Sequence, residues 1–502
     1  MFQFIKNKMT DIGFVLLLII CFYFLNFHSY FFAQPQGVHF NRQIDGLSFV
    51  SNYYHNGFDF FHPELYNLII KEARGVSEFP IFYYITSLLY LLFGEKEFIL
   101  KLIHLSVFSV GLFHLYKLTY QVIEDKFYAY IIPLFLFSSV SLTYYAFNFL
   151  PDIAALGFSF SGWYFVIKYR ANNKFKLLIY AFVFFTFSAL LKVTFFINPF
   201  AFFIYCLADF LFFKKEVNKK EVKRISVVFS GTILILIFWN SYVFWYNAKY
   251  NSTFFLTKTT PFWELTRNEN LEIWGHIKNE WYKKYLAESS LHFLLIVLAF
   301  AIFNIKKIDL FLKSIFLLIL IGTSCYFALF YSQFKYHDYY FLLFFPLLFF
   351  LLLIGFKTIK IEYNNAFFSL VVKLSLIIIT ISGINYSRIK VKERYDKGYD
   401  IISRVGFEIR KNQKDIDLLN IPENSKIIVA PDKSMNGGGY FLKRKFWPIE
   451  NENEITKNNI LKFRNKGARY IVIVTFKKEY GAILNQMGTL LLQNGDFRIY
   501  KL

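Results

Sequence analysis

At 502 residues, 56% of them hydrophobic and 22% aromatic, with a mean hydropathy of +0.38, the chain is too apolar for the surface of a soluble protein of its length. Its formal charge of +21 comes from Lys and Arg dispersed among apolar runs. That pattern excludes the single basic face of a nucleic-acid binder and fits positive cytoplasmic loops that also attract anionic lipid headgroups. Cys21, Cys206 and Cys325 each lie inside an apolar run, so the chain has neither a disulfide framework nor a zinc-ligand spacing.

Apolar runs of about 20 residues suit a bilayer core of roughly 30 Å. The first covers residues 11–33. It is too long for a signal-peptide core and lacks a small-x-small cleavage site, so it is expected to be retained as a span, with Lys6 and Lys8 holding its start in the cytoplasm. The polar segment 34–98 then lies outside. Within it, IFYYITSLLYLLFG (81–94) follows Pro80 and is short for a span, so an interfacial or re-entrant helix is expected.

Further spans are expected near 99–121, 128–148, 153–170, 175–191, 195–213, 225–248, 289–304, 312–332, 339–356 and 366–386. This parity puts the basic clusters at 168–176, 214–224, 304–307 and 357–360 in the cytoplasm; a crossing at 81–94 would turn all of them outward. The loop 249–288, with Trp263, Trp274 and Trp281, falls outside. From residue 389 the apolar runs shorten to strand length, as at 425–430 and 469–474, between amphipathic stretches near 397–411 and 455–466, and Gly437-Gly438-Gly439 marks a turn. The expected fold is an all-α polytopic membrane protein of about eleven transmembrane helices (1–388), with a small extracytoplasmic α/β domain (389–502).

Several residues suit chemistry. Asp45, in N-R-Q-I-D, reads as a general base or as a solvated acid paired with Arg42. Asp152 follows Pro151 at the outer mouth of the fourth span, where it either faces the bundle interior or caps its helix. Lys192, in SALLKVTFF, either snorkels to the headgroups or meets an anionic substrate. Lys335, His337 and the hydroxyls of Tyr339 and Tyr340 suit a phosphate and are expected to bind substrate; an aromatic belt is the alternative for the tyrosines but leaves Lys335, His337 and Asp338 unaccounted for. Glu78 either supports Asp45 or caps the helix starting at Pro80. The three tryptophans stack on sugar rings or sit at the interface. No Walker motif, G-x-G-x-x-G or H-E-x-x-H is present, so ATP-driven transport and soluble-nucleotide chemistry lack support. No cofactor is indicated, and a divalent metal is left open.

Together these motifs resemble the GT-C superfamily of membrane glycosyltransferases, nearest to bacterial relatives of protein O-mannosyltransferases and of the lipid A aminoarabinose transferase. The resemblance spans nearly the whole chain. It rests on Arg42, Gln43 and Asp45 after the first span, Glu78-Phe79-Pro80 before a helix ending in Phe93-Gly94, Pro151-Asp152, and His337 to Tyr340 with Pro346 following. It implies a sugar on a polyprenyl phosphate as donor, reaching the outer face of the cytoplasmic membrane laterally. Asp45 is then the base, Asp152 a second acidic position, and Lys192, Lys335 and His337, with Arg42 as a further option, are cations for the developing phosphate charge. Single displacement inverts the anomeric centre.

Two departures bear on the acceptor. E-F-P stands where the aminoarabinose transferase has a K-P-P-type signature, and Gly46 replaces the acid of the D-E pair of protein mannosyltransferases. A lipid, a glycan or a protein therefore all stay open as acceptor. The alternatives to a transferase are a polyprenyl-linked glycan polymerase or ligase, and a transporter, for which mid-span charges and internal repeats are the discriminating features.

Overall fold

Apolar runs become helices because a segment in hydrocarbon must satisfy its own N–H and C=O groups. The structure, a computed structural model, describes residues 2–215, 217–253, 255, 259–396 and 402–502. Among these, six helices are long and apolar enough to cross a membrane: Phe98–Ile123, Val193–Phe213, Lys219–Lys249, Leu310–Leu329, Asp338–Glu362 and Leu370–Asp396. Two bent pairs raise the number to eight, Lys126–Phe137 with Val140–Ala146 (81°) and Arg267–Tyr285 with Glu288–Phe303 (99°). Met9–Phe24, Ile81–Phe93 and Phe175–Leu191 are shorter apolar helices.

Two expected spans differ in detail. The first helix ends at Phe24 instead of residue 33, because Asn26 takes a left-handed φ of 60° and only the short helix Phe27–Tyr30 follows. The run 128–148 is broken at Ser138-Ser139. Asp125 caps the first piece through the Tyr128 N–H, Ser139 caps the second through the Leu142 N–H, and the Ser138 hydroxyl bonds back to the Phe135 carbonyl at 2.6 Å. Serines here satisfy helix ends that periodicity alone would run together.

The chain divides into two compact units, residues 1–32, 101–241 and 258–392, and residues 33–100, 242–257 and 393–502. In the first unit, Gly111 and Gly157 let two helices touch: a Cβ on Gly111 would lie 2.6 Å from the Gly157 Cα. Helices Asp152–Asn172 and Phe175–Leu191 form an antiparallel hairpin about a left-handed Asn173 (φ 50°). The Ser188 hydroxyl donates to the Ala155 carbonyl at 2.6 Å. The turn brings the start of one helix, Asp152, to the end of the other, Lys192.

The second unit holds a five-stranded sheet of β1 (Lys426–Ala430), β2 (Phe446–Pro448), β3 (Ala468–Ile473), β4 (Thr489–Asn494) and β5 (Phe497–Lys501), in the order β2-β1-β3-β5-β4. β1 pairs in parallel with β2 and β3, while β5 runs antiparallel to β3 and β4. Ile428, Ile460, Ile471, Leu484 and Tyr500 are buried at its core. The expected helices near 397–411 and 455–466 appear as Arg404–Lys411 and Lys457–Asn465, with residues 397–401 outside those described.

Residues 33–100, which read as a loop of the membrane part, group instead with this sheet. Phe446 N–H donates to the Tyr66 carbonyl (3.0 Å) and Leu68 N–H to the Phe446 carbonyl (2.8 Å), extending the sheet beyond β2. Lys445 donates to Glu64, Asn52 and the Leu65 carbonyl at 2.7–3.0 Å. The three glycines expected as a turn instead open a helix, Gly437–Leu442, that packs against helix Phe40–His55. They are small because the space is taken: a Cβ on Gly438 would meet Asp432 Oδ2 at 2.7 Å, and one on Gly439 would meet Phe446 Cδ1 at 2.5 Å.

Gly439→Ala is therefore expected to destabilise the protein by about 1–3 kcal/mol through overpacking. Gly231, inside Lys219–Lys249, has open space around its Cβ position, so Gly231→Ala should be neutral or stabilising by up to about 1 kcal/mol. Thermal unfolding of the two purified variants in the same detergent compares them; equal loss would contradict the packing account.

Candidate active site

Helix Phe40–His55 is buried along most of its length, which takes Asp45 out of water; the residue is 4% exposed. Arg42, three residues earlier on the same face, places Nη1 3.7 Å from Asp45 Oδ2. Asn436 Nδ2 donates to Asp45 Oδ1 at 2.8 Å. Burial pushes the Asp45 carboxyl up to about 7; Arg42 and Asn436 work against that rise, and the nearby Glu78 adds to it.

Glu78 has the opposite character. Burial opposes its charge too, but Arg42 and the hydroxyls of Ser77 and Tyr83 outweigh burial and bring it down to about 2. Arg42 Nη2 lies 3.1 Å from Glu78 Oε1, the Tyr83 hydroxyl donates to the same oxygen at 2.6 Å, and the Ser77 hydroxyl donates to Oε2 at 2.6 Å. The Glu78 side chain is thus committed to Arg42, while Pro80 starts helix Ile81–Phe93 with no side-chain cap. The result is two unequal carboxyls sharing one guanidinium, one held ionised and one poised near neutrality. Gly46 belongs to this geometry: a Cβ there would come within 2.9 Å of Tyr83 Cε1. A second acid after Asp45 would displace the tyrosine that fixes Glu78.

The first unit carries a separate cluster. Asp152 is buried, and Lys192 Nζ lies 3.0 Å from its Oδ1. Lys192 also sits over the rings of Tyr340 (4.4 Å) and Tyr339 (5.1 Å). The Tyr326 hydroxyl donates to the Tyr340 carbonyl at 3.1 Å, and the Tyr145 hydroxyl donates to buried Asp338. The ring of His337 stacks on Tyr340 with centroids 5.9 Å apart. Lys335 goes elsewhere: it pairs with Glu272 at 2.7 Å and lies over Tyr336. So Asp152, Lys192, His337, Tyr339 and Tyr340 share one neighbourhood, Arg42, Asp45 and Glu78 another, and Lys335 joins neither.

Asn436, Tyr83 and Tyr145 were missed by sequence reasoning. Tyr83 lies within the helix following E-F-P, where a facing residue was a readable signal. Nothing near Asn436 or Tyr145 in the chain marks them. Among the described residues no group of three or more His, Cys, Asp or Glu stands together as a metal site.

Asp45 makes stability pH-dependent. Its folded-state value near 7 lies above the ordinary 3.8, so its favourable contribution is complete below about pH 4 and is lost as pH rises through 7. Asp45→Asn should remove that dependence, with the unfolding midpoint of the variant gaining on the wild type between pH 5 and pH 8 by the equivalent of roughly 2–4 kcal/mol. A constant difference between the two would contradict the burial account.

Lys192→Met leaves the buried Asp152 carboxylate without its cation and should cost about 3–5 kcal/mol, most of it recovered when Asp152→Asn is added. Chemical unfolding of the single and double variants measures the coupling, and simple additivity would exclude it.

No family model matches the sequence, and no curated protein is similar to it by sequence. Solved structures are similar in fold. ArnT from Cupriavidus metallidurans bound to undecaprenyl phosphate superimposes with a TM-score of 0.59 at 10% identity, covering 97% of this chain and 98% of that one. The Archaeoglobus fulgidus oligosaccharyltransferase gives 0.57 at 11% identity, over 91% of this chain and 69% of that one. The mycobacterial arabinofuranosyltransferase AftD gives 0.55 at 9% identity, over 99% of this chain and 40% of the larger protein. The chain thus shares the fold of these three proteins.

Proposed function

We propose that the chain is an inverting glycosyltransferase, moving a sugar from a polyprenyl-phosphate donor to an acceptor hydroxyl at the outer face of the cytoplasmic membrane. The observation that carries this reading is Asp45, a buried carboxyl raised to about 7 beside a guanidinium that a second carboxylate holds in place. A base with that value is ionised often enough to accept a proton at neutral pH and basic enough to take it from a hydroxyl. The fold adds support, since ArnT binds undecaprenyl phosphate and an archaeal oligosaccharyltransferase has been captured with a dolichol phosphate.

In this mechanism the acceptor oxygen attacks the anomeric carbon, its proton passes to Asp45, and the bond to the phosphate oxygen breaks with its electron pair staying on the phosphate. A phosphate leaves without a strong acid, so fixed cations are the main requirement. Lys192 is the proposed cation, oriented by its pairing with Asp152 and walled by Tyr339 and Tyr340, with His337 beside them. Arg42 serves Asp45, and Lys335 is paired with Glu272. The acceptor is a hydroxyl-bearing lipid, glycan or protein.

The proposed topology has the N-terminus cytoplasmic, the sheet-bearing domain extracytoplasmic and about eleven crossings. The crossings comprise the six long helices, the bent pair Lys126–Phe137 with Val140–Ala146, Glu288–Phe303 from the other bent pair, Met9–Phe24, Phe175–Leu191 and helix Asp152–Asn172.

The test is mass spectrometry of cell-surface glycans, lipids and glycoproteins from cells lacking the gene and from the same cells carrying wild type or Asp45→Asn. Wild type is expected to restore a glycosylated product, and Asp45→Asn to lower it at least a hundredfold while accumulating in the membrane at the same level. Full product from the variant sinks Asp45 as the base.

A further inference from the structure

Asn436 reaches Asp45 across 391 positions of sequence, and the loop that delivers it is unusually constrained. Met435, immediately before it, holds a left-handed φ of 63°, which side-chain-bearing residues disfavour. The Asn436 side-chain oxygen is buried and has no hydrogen-bond partner among the described residues, while Nδ2 is spent on Asp45. Burying an amide with one half unsatisfied is unfavourable, so such a residue calls for an explanation in what its other half does.

The rest of the loop serves to hold it. Asp432 accepts from the Ser434 N–H (2.7 Å) and the Gly438 N–H (3.0 Å), and Ser434 Oγ accepts from the Gly437 N–H (2.8 Å). Asn67 Nδ2 donates to the Met435 carbonyl at 2.7 Å. Stacked Phe40 and Phe441, with centroids 6.2 Å apart, join the two helices that carry the pair.

We propose, resting on the reading of Asp45 as the base, that Asn436 is its positioning residue: the amide N–H occupies Asp45 Oδ1, leaving Oδ2 to receive the acceptor's proton. The sheet-bearing domain then contributes directly to the chemistry of the first polar segment. The groups facing Asp45 are Arg42 on its own helix, Glu78 from the segment ahead of Ile81–Phe93, with Tyr83 behind it, and Asn436 from the loop ahead of Gly437–Leu442. Arg42 and Asn436 favour the carboxylate; burial and Glu78 favour the acid. Losing Asn436 must therefore raise the pH at which Asp45 ionises.

The experiment uses the full chain in detergent. Infrared spectra are recorded against pH, and the protonated-carboxyl band missing from Asp45→Asn identifies Asp45. Its midpoint is expected near 7 in the wild type. Asn436→Ala should move it up by about one pH unit, and the isosteric Asn436→Asp further, since it sets a second acid beside the first. At pH 7 a shift of that size lowers the ionised fraction about fivefold. The glycosylated product in complemented cells should fall at least as far in the alanine variant. An unmoved midpoint overturns the proposal, including when the variant is merely less stable. So does a moved midpoint with undiminished product. If the alanine variant fails to accumulate, Asn436→Asp carries both readouts. Full product from Asp45→Asn would instead sink the reading of Asp45 as base, whereas an inactive Asp45→Asn with an unmoved Asn436→Ala midpoint removes only the role of Asn436.

Discussion

A carboxyl that water cannot reach must either give up its charge or be surrounded by groups that stabilise it, and Asp45 is held between those outcomes. Burial alone would keep it protonated; one amide donor and one guanidinium bring it back only part of the way. Glu78 is equally buried and fully ionised because it takes the nearer share of Arg42 and two hydroxyls besides. The difference between two acids a few residues of contact apart is thus set by donor count, not by exposure.

That balance depends on cover. Helix Phe40–His55 has a polar sequence for a buried element, and it is kept dry by the helix Ile81–Phe93 on one side and by Gly437–Leu442 on another. The second cover needs three consecutive glycines, since any Cβ among them would strike Ser434, Asp432 or Phe446. Lys445 and Lys443 lock the arrangement by pairing with Glu64 and Glu95 of the same unit. A site built from segments so far apart in sequence exists only when the sheet-bearing domain has folded.

The helical unit solves a different problem. Its ion pair, Asp152 with Lys192, arises from hairpin geometry: the two helices run antiparallel, so the first residue of one meets the residue after the other. Tyrosine rings shield the lysine, and the attraction in such surroundings offsets part of the cost of removing both charges from water. The pair also shows how a lone lysine persists within an apolar sequence, with Asp152 as its counter-ion.

The sequence by itself determined which stretches are apolar enough for hydrocarbon, where strands begin after residue 389, and that Asp45, Asp152 and Lys192 are candidates for chemistry. These are properties of composition and local period, and they survive without tertiary information. The resemblance in R-Q-x-D, E-F-P and H-D-Y-Y anticipated the fold shared with ArnT for the same reason, since those motifs keep their order along the chain. Only the tertiary structure decided partnership. It broke the run 128–148 at two serines, paired Lys192 with Asp152, sent Lys335 to Glu272, turned Gly437–Gly439 from a turn into a helix start, and delivered Asn436 to Asp45. Hydrogen bonds and ion pairs act over a few ångströms in space, and a single sequence records no distance between residues hundreds of positions apart.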